Sequence, residues 1–278
     1  MIVFPNAKIN LGLDILFRRP DGYHEISTVM VPVGWHDVLE VVPSHSGKAT
    51  LTVTGNAVDC PPEKNLVMKA YRALGEVAAG LPPVDIYLRK IIPDGAGLGG
   101  GSADAAFTIK ALNTLFSLGF SDDKLAEVAA TIGADCPFFI YNKPMMATGI
   151  GTDLAPVVLP SEIYRMNLAI VKPPVGVSTA CAYAGVTPAL PAVELADVIS
   201  RPLSEWNGTV KNDFEKSVFA AAPEIETVKS GLADMGAVYV SMSGSGSAVY
   251  AFFASDILAE TLRDRFPQCS VCLTSVVC

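Results

Sequence analysis

The sequence has no block of basic residues and little charge overall. Charged residues make up 17% of the chain, and 20 Lys and Arg against 28 Asp and Glu give a net charge of −8 at pH 7. Proteins that bind nucleic acids gain affinity by neutralising phosphates with Lys and Arg. The charge therefore argues against a nucleic-acid partner. Any bound phosphate would be held locally, by backbone amides and a few placed cations.

The sequence also lacks the hydrophobic segments that direct a chain to a membrane. No run approaches the ~18 apolar residues that a membrane span needs. Residues 1–10 do not combine a basic segment with a following apolar one, which is the pattern of a secretory signal. We expect no membrane partner and a cytoplasmic location.

The six cysteines lack the spacing of a metal site or a disulfide framework. Only Cys269 and Cys272 have two residues between them, which is a metal-ligand spacing. The chain has no second pair of this kind and no nearby histidine to complete a zinc site. Alternating side chains on a final strand explain this spacing better. A chain of 278 residues, 50% of them hydrophobic, can bury a core without disulfides, which predicts reduced thiols.

Hydrophobic periodicity predicts an α+β chain. The predicted strands are 3–16, 25–42, 49–54, 84–92, 164–171, 237–243, 247–254 and 270–277. The predicted helices are 66–79, 103–116, 122–132, 222–235 and 256–266, and Asn212 and Glu215 have the spacing of a capping box that opens another. A change in composition near 149–160 predicts two domains, 1–152 and 153–278. The element order of the second half is typical of a split βαβ sandwich.

The most informative segment is 93–104, where five of the seven residues 95–101 are glycine. Glycines cost backbone entropy, so a fold keeps this many where the chain needs positive φ or a very close approach. The segment follows a predicted strand and precedes a predicted helix, whose N-terminal amides can bind an anion. Four interpretations compete: a plain turn, a P-loop, a dinucleotide site, and the phosphate loop of another kinase class.

Spacing disfavours the first three of these interpretations. A plain turn needs only two or three glycines. A P-loop needs a lysine directly before Ser102, where Gly101 stands. The glycines formally match a dinucleotide fingerprint, but its ribose-binding acid should end a second strand. Here Asp122 and Asp123 open a predicted helix instead, so the kinase phosphate loop is favoured.

Three segments in order along the chain resemble the motifs of the GHMP kinase superfamily. The loop is similar to its Pro-x-x-x-Gly-Leu-Gly-Ser/Gly-Ser-x-Ala motif, residues 5–11 (PNAKINL) to its first motif, and residues 241–247 (SMSGSGS) to its third. The resemblance implies a two-domain α+β fold, with an N-terminal domain of the ribosomal protein S5 type that binds ATP and a ferredoxin-like C-terminal domain. It also implies ATP as phosphoryl donor and Mg²⁺ as cofactor.

Further segments are similar to one subfamily of these kinases: 7–10 (AKIN), 21–24 (DGYH), 99–102 (GGGS) and 133–138 (GADCPF). The acceptor of that subfamily is a cytidine diphosphate alcohol of the non-mevalonate route to isoprenoids. A homoserine or mevalonate-type kinase, and a non-catalytic ligand sensor on the same fold, remain as alternatives, and a dinucleotide-dependent oxidoreductase as a weaker one. We expect small-molecule substrates and a monomer or weak homodimer.

The resemblance implies that Asp135 and Lys8 are catalytic. Asp135 lies in an otherwise apolar run and would take the proton of the acceptor hydroxyl. Lys8 lies among apolar residues on a predicted strand, and its ammonium would hold that carboxylate ionised and neutralise charge near the transferred group. The alternatives are a helix C-terminal or salt-bridged Asp135 and an exposed strand-edge Lys8.

The remaining candidate residues bind the two substrates. ATP is expected to contact Asn65, Leu66, Pro93, Asp94, Gly95, Ala96, Gly97, Leu98, Gly99, Gly100, Gly101, Ser102 and Ala103. The acceptor is expected to contact Asn10, Tyr23, His24, Thr179, Gly244 and Ser245. Tyr23 offers a flat face for a base, and His24 offers a donor and an acceptor. Ser102 is the candidate Mg²⁺ contact, with a helix cap as the alternative, while plain turns are the alternative at 21–24 and 244–247.

Overall fold

Strands and helices follow one another in blocks along the chain in the computed structural model, which describes residues 1–58 and 60–277. The helices are α1 (Leu66–Val77), α2 (Gly100–Leu115), α3 (Asp122–Ala130), α4 (Cys136–Tyr141), α5 (Thr179–Ala184), α6 (Leu195–Ile199), α7 (Glu215–Ala221), α8 (Pro223–Asp234) and α9 (Ala259–Arg265). The strands are β1 (Ile2–Val3), β2 (Asn6–Arg18), β3 (His24–His36), β4 (Val38–Pro43), β5 (Thr50–Gly55), β6 (Val84–Lys90), β7 (Met145–Thr148), β8 (Asp153–Pro156), β9 (Asn167–Lys172), β10 (Tyr239–Met242), β11 (Val249–Phe253) and β12 (Ser270–Thr274). Asp59 and Cys278 lie outside the described residues. Within them, no helix is both long enough and apolar enough to cross a membrane.

Both long N-terminal strands are divided, which the periodicity did not predict. The first is interrupted at residues 4–5, where Pro5 has no amide hydrogen to continue a ladder. The second is interrupted at Asp37, whose side chain is fully buried and accepts hydrogen bonds from the amides of Ile91 and Ile92. Because the Asp37 side chain binds the backbone of a neighbouring segment, the alternation of inward and outward side chains along the strand ends there.

The chain divides into two compact units, each made of separate segments. Unit 1 comprises Met1–Ala7, Trp35–Asp94 and Gly99–Asn142, and unit 2 comprises Lys8–Gly34, Gly95–Leu98 and Lys143–Cys278. The domain boundaries 1–152 and 153–278 stay a prediction.

Unit 1 contains a four-stranded sheet in the order β1-β4-β6-β5, with β5 parallel to β6 and the other pairs antiparallel. Its helices α1 to α4 include α2, which packs against α1 and α4. Strand β6 (VDIYLRK) alternates buried and more exposed side chains. This alternation buries Val84, Ile86 and Leu88, and it also places Lys90 on the buried face.

Unit 2 contains an antiparallel sheet in the order β10-β11-β9-β12. The chain order β9, α7 and α8, β10, β11, α9, β12 with this sheet order is the split βαβ arrangement, which confirms the interpretation of the second half. Its core packs α8 against β10 and β11 through Ile225, Val228, Leu232, Ala251 and Phe253. A second sheet has the order β2-β3-β7-β8.

Candidate active site

The glycine loop and the 244–247 turn pack directly against each other in unit 2. Gly97 has φ 72°, and a Cβ there would lie 2.0 Å from the carbonyl oxygen of Ser243. The Ser243 hydroxyl donates a 2.8 Å hydrogen bond to the Gly97 carbonyl, and the Ala248 amide donates a 3.0 Å bond to the Ala96 carbonyl. Glycine is therefore required at 97 by both backbone conformation and close approach.

Lys8 is fixed against the same loop. Its side chain is 4% exposed, and its ammonium donates hydrogen bonds to the Gly97 carbonyl (2.9 Å) and to Asn10 Oδ1. The Lys8 amide donates a 2.9 Å bond to the Leu98 carbonyl. An exposed strand-edge lysine is thus ruled out, because the cation is held beside the loop by three hydrogen bonds.

Asn10 is buried next to Lys8. Its amide nitrogen donates a 3.0 Å hydrogen bond to Thr28, and its Oδ1 accepts the bond from Lys8. The Tyr250 hydroxyl donates to the Asn10 carbonyl oxygen at 2.8 Å. The side-chain amide of Asn10 thereby positions the Lys8 ammonium, and a direct contact with the acceptor stays a prediction.

The predicted capping box at Asn212 and Glu215 is wrong in its reciprocal half. The Asn212 side-chain oxygen accepts a 3.0 Å bond from the Phe214 amide, but the Glu215 side chain contacts strand β10 instead of reaching back. The Asn212 amide nitrogen donates 2.8 Å bonds to the carbonyls of Met242 and Gly244. Glu215 Oε1 accepts a 2.9 Å bond from the Met242 amide. Helix α7 begins at Glu215 with Phe214 at its N-cap, so Glu215 does not reach back to Asn212. Contacts with a distant strand have displaced the local motif.

A cavity of about 350 Å³ in unit 2 brings together three of the predicted acceptor residues. The residues that line it are Gly22, Tyr23, His24, Ile150, Thr179, Ala180 and Tyr183. The rings of His24 and Tyr183 stack with centroids 4.7 Å apart, while Tyr23 is 62% exposed. Tyr183 was not predicted. The signal for it was its position four residues after Thr179, which places both on one face of α5.

The predicted residues of the 244–247 turn lie near this group. The hydroxyl oxygens of Thr179 and Ser245 are 3.2 Å apart, within hydrogen-bond distance. Gly244 has φ 56°, and a Cβ on it would lie 3.2 Å from Asn10 Oδ1. Within unit 2, the 244–247 turn therefore contacts Asn10 on one side and Thr179 on the other, and Asn10 in turn binds Lys8.

In unit 1, helix α2 begins on the glycines themselves. Gly99 has φ 70° and is the N-cap, so α2 starts at Gly100, three residues before the predicted start. The amides of a helix's first turn have no partner within the helix and carry the positive end of its dipole. Those of Gly100, Gly101 and Ser102 form such a turn, which can bind an anion.

A second cavity, of about 200 Å³ in unit 1, contains four of the predicted ATP residues. Its lining residues are Val58, Cys60, Lys64, Asn65, Leu66, Lys90, Asp94, Gly101 and Asp104. Asn65 caps α1, because its Oδ1 accepts a 3.0 Å bond from the Val67 amide. Asp94 is exposed. Lys90 and Asp104 were not predicted as residues of this cavity.

Lys90 forms a buried ion triad with Asp37 and Asp104. Its ammonium contacts Asp104 Oδ2 at 2.7 Å and also Asp37 Oδ2. Burial raises the pKa of Asp104 to about 8, with Lys90 opposing and Asp37 adding to the rise. Burial lowers the pKa of Lys90, but the two carboxylates outweigh it and give a net rise. The raised pKa of Asp104 favours its protonated form at neutral pH.

Asp104 also presents an oxygen that the protein does not satisfy. Its Oδ1 is buried and has no hydrogen-bond partner among the described residues. Buried polar atoms are nearly always paired, so an exception calls for an explanation. Asp104 lines the same cavity as Asn65 and Leu66.

Asp135 lies in unit 1 directly before α4, where it is half-buried. It follows α3 by five residues, so it is not a helix C-terminal residue, and its side chain does not cap α4. The next residue is Cys136, and burial raises the pKa of that thiol to about 11 while the Ser102 hydroxyl partly offsets the rise. Asp135 and Ser102 therefore both neighbour Cys136 in unit 1. The catalytic role of Asp135 stays a prediction.

Comparison with known proteins gives concordant matches. The model of the GHMP kinases N terminal domain matches residues 65–143, and that of the GHMP kinases C terminal domain matches residues 195–270. The 4-diphosphocytidyl-2-C-methyl-D-erythritol kinase of Parabacteroides distasonis is 52% identical over 91% of this chain and 92% of its own. The enzyme of that name from Bacteroides fragilis is 51% identical over 92% of this chain and 93% of its own.

Solved structures are similar over nearly the whole chain. A crystal structure of 4-(cytidine 5'-diphospho)-2C-methyl-D-erythritol kinase matches with a TM-score of 0.81 and 32% identity, covering 99% of both chains. The homoserine kinase from Cytophaga hutchinsonii matches with a TM-score of 0.75 and 19% identity, covering 98% of this chain and 94% of its own. At that identity the second match shows only a common fold.

Proposed function

Because this chain belongs to the GHMP kinase family and has its fold, we propose that it is an ATP-dependent kinase of 4-diphosphocytidyl-2-C-methyl-D-erythritol. It would phosphorylate the 2-hydroxyl of that alcohol, a step towards isoprenoid precursors by the non-mevalonate route. The relatives of that name share about half of their residues with this chain. The observation that carries the substrate assignment is the cavity lined by Tyr23, His24 and Tyr183.

This cavity suits a cytosine base. Aromatic rings offer faces on which a base can stack, and a neutral histidine has one donor and one acceptor for the polar edge. His24 and Tyr183 are already stacked on each other, and the exposed Tyr23 stands beside them. Homoserine and mevalonate contain no aromatic base, so a pocket with this lining favours the cytidine compound over both.

The residues of unit 1 fit ATP. The first-turn amides of α2 can donate hydrogen bonds to phosphate oxygens. This binding requires no positively charged side chain, which suits a chain with a net charge of −8. We propose that the loop residues 93–103, with Asn65 and Leu66, hold the nucleotide.

Mg²⁺ bound to a nucleotide takes most of its ligands from phosphates and water. Among the described residues there is no group of three or more His, Cys, Asp or Glu side chains that could hold a metal ion. We propose the Ser102 hydroxyl as one protein ligand of the ion. The ion would neutralise negative charge on the transferred phosphoryl group.

Asp135 and Lys8 are proposed as the reacting pair. Asp135 would accept the proton of the substrate's 2-hydroxyl while the hydroxyl oxygen forms a bond to the γ-phosphorus of ATP. The bond between that phosphorus and the β–γ bridging oxygen breaks, and ADP is released. The Lys8 ammonium would favour the ionised carboxylate and offset the charge of the transferred group. The support is the fixed position of Lys8 at the Gly97 carbonyl and the partial exposure of Asp135 at the start of α4.

A substrate panel with an ADP-release assay tests the function. We expect turnover with 4-diphosphocytidyl-2-C-methyl-D-erythritol and none with homoserine or mevalonate. Turnover with homoserine alone would overturn the substrate, and binding of the cytidine compound without any ADP release would indicate a sensor. Asp135→Asn should lower kcat by about 10²–10⁴-fold, the range for loss of a general base. Asp122→Asn, an exposed acid of the same unit, is the matched control.

The base-binding cavity has a separate test. Tyr183→Ala should raise KM for the cytidine substrate by about 10- to 100-fold, the value of one stacked base, and leave KM for ATP unchanged. Tyr87→Ala, a half-exposed tyrosine on β6, should change neither. Equal KM values for the cytidine substrate in the two variants would remove the cavity from the proposal.

The cytoplasmic location, the monomeric or weakly dimeric state and the lack of nucleic-acid partners stay predictions. Sedimentation of the purified chain at micromolar concentration measures its mass in solution and tests whether it is a monomer or a weak dimer. Retention on a polyanion resin in low salt would contradict the third, because that is where electrostatic binding is strongest.

A further inference from the structure

A third cavity, of about 350 Å³, lies in unit 2 and shares no lining residue with the two cavities above. Its walls are mainly apolar and include Leu16, Met146 and Leu195. Two acids, Asp14 and Glu194, also line it, and no lysine or arginine does. Its volume falls in the range of small-molecule sites, and apolar walls with a few polar groups are their usual composition.

Asp14 is the unusual member of this cavity. On β2, Leu13 and Ile15 pack in the core of unit 2, so Asp14 and Leu16 take the opposite face and line the cavity. The Asp14 side chain is 5% exposed, yet no described residue donates a hydrogen bond to it or pairs with it as a cation. The nearby cation Lys211 is instead paired with Asp213 at 3.3 Å. A buried carboxylate without a partner is costly unless something outside the chain supplies one.

The charges around Asp14 define what can enter. Burial raises the pKa of Asp14 to about 6, with Asp213 adding to the rise and Lys211 opposing it. Glu194 contributes a second, exposed carboxylate to the cavity. Two acids repel an anionic ligand, and a neutral one would leave the carboxylate unpaired above pH 6. A cation satisfies Asp14, while the apolar walls require a hydrocarbon body.

We propose that this cavity binds a small organic cation, an amine or guanidine with an apolar body, whose charged head pairs with Asp14. The ammonium or guanidinium donates hydrogen bonds to the carboxylate, and the hydrocarbon part packs on Leu16, Met146 and Leu195. Binding needs no contact with the residues proposed for phosphoryl transfer.

Met146 provides a probe inside the cavity. The full chain is labelled with ¹³C at the methionine methyl groups and titrated with isobutylammonium, and with isobutanol as the uncharged analogue of the same shape. We expect the Met146 resonance to shift with isobutylammonium at millimolar concentrations, as befits so small a ligand. Met68, a buried methionine of unit 1, should not shift and serves as the internal control.

Asp14→Asn keeps the shape of the side chain and removes its charge. Its affinity for isobutylammonium should fall at least about tenfold, the effect of losing a charged hydrogen-bond partner, while isobutanol should bind both proteins equally weakly. An unchanged affinity for the amine in this variant would overturn the proposal. So would a Met146 resonance that moves no more than that of Met68.

A second variant keeps the test independent of Asp14. Ala196→Trp places a large ring on α6, at an exposed residue that lines the cavity. It should abolish the amine-dependent shift of Met146 with Asp14 intact, and an undisturbed Met68 resonance reports that the chain is folded. Full binding of isobutylammonium to this variant would place the amine elsewhere and overturn the proposal.

Discussion

Two buried carboxylates, Asp104 in unit 1 and Asp14 in unit 2, lie in different electrostatic environments. Asp104 is 2% exposed and contacts the Lys90 ammonium at 2.7 Å, whereas Asp14 has no ion-pair partner within the described residues. The paired carboxyl nevertheless has the higher pKa, about 8 against about 6. Burial is the main reason for this order, because it raises the pKa of Asp104 most, and Asp37, which shares the same ammonium, adds to the rise.

The difference shows that one cation does not neutralise two buried acids. In the Lys90 triad the raised pKa of Asp104 favours its protonated form, which lowers the net negative charge of the group. At Asp14 no described residue donates a hydrogen bond or forms an ion pair, and the side chain lines a cavity. The first arrangement lies at the wall of the unit 1 cavity, and the second is the basis of the proposed cation site.

Removal of the shared cation should have the largest effect. Lys90→Met leaves Asp37 and Asp104 buried without a positive charge, so the free energy of unfolding should fall by about 3–5 kcal/mol. Urea denaturation at pH 7 measures it. Lys124→Met, which breaks the exposed pair with Glu127, should change stability by only about 0–0.5 kcal/mol. Similar losses in both variants would mean that the triad is not electrostatically coupled.

Removal of one acid should change the pH dependence of stability. The folded-state pKa of Asp104 is raised to about 8, above the ordinary 3.8, so folded chains hold a proton that unfolded chains release. Stability from this group is therefore present at low pH and is lost as the pH rises from about 4 to 8. Asp104→Asn should remove most of that decline, measured as the difference between the two denaturation profiles. Parallel profiles would contradict it.

Removal of the unpaired acid should have the smallest effect, and it should stabilise the protein. The pKa of Asp14 is raised to about 6, so its ionisation disfavours folding as the pH rises from about 4 to 6. Asp14→Asn should raise the free energy of unfolding by about 1–2 kcal/mol above pH 6 and by little at pH 4. Thermal melts at both pH values test this, with the exposed Asp153→Asn as control. A destabilised Asp14→Asn at pH 7 would show that Asp14 has a partner in the chain.

The elements were largely predictable from periodicity, but the buried charges were not. Helix α3 begins at Asp122 with Ser121 as its cap, as predicted, because both signals are local. Strict alternation along β6 places Lys90 inward, yet a lysine at a strand end normally indicates solvent. The partners that make its burial possible, Asp37 and Asp104, are 53 and 14 residues away along the chain.

The burial of Asp14 could not be predicted from the sequence pattern for a different reason. The first ten residues of β2 are all buried, so alternation does not distinguish its two faces. Asn212 shows a third limit, since its spacing from Glu215 matched a local cap but its side chain is used by the carbonyls of Met242 and Gly244. In each case the deciding contact is distant in sequence, whereas the motifs that contain Lys8, Gly97 and Gly244 were recognisable from their order along the chain.

The interleaving of the two units determines when the chain can fold during synthesis. Residues 8–34 leave the ribosome early but belong to unit 2, whose other main segment begins at Lys143. The hydrogen bond from Tyr250 to the Asn10 carbonyl spans 240 residues, and β2 also meets Asn212 through an isolated bridge at Leu13. Pairings of such separation are slow to form, because a long loop must close before any contact offsets its entropy. The packing of β2 therefore cannot be completed until the segment that carries Tyr250 has been synthesised.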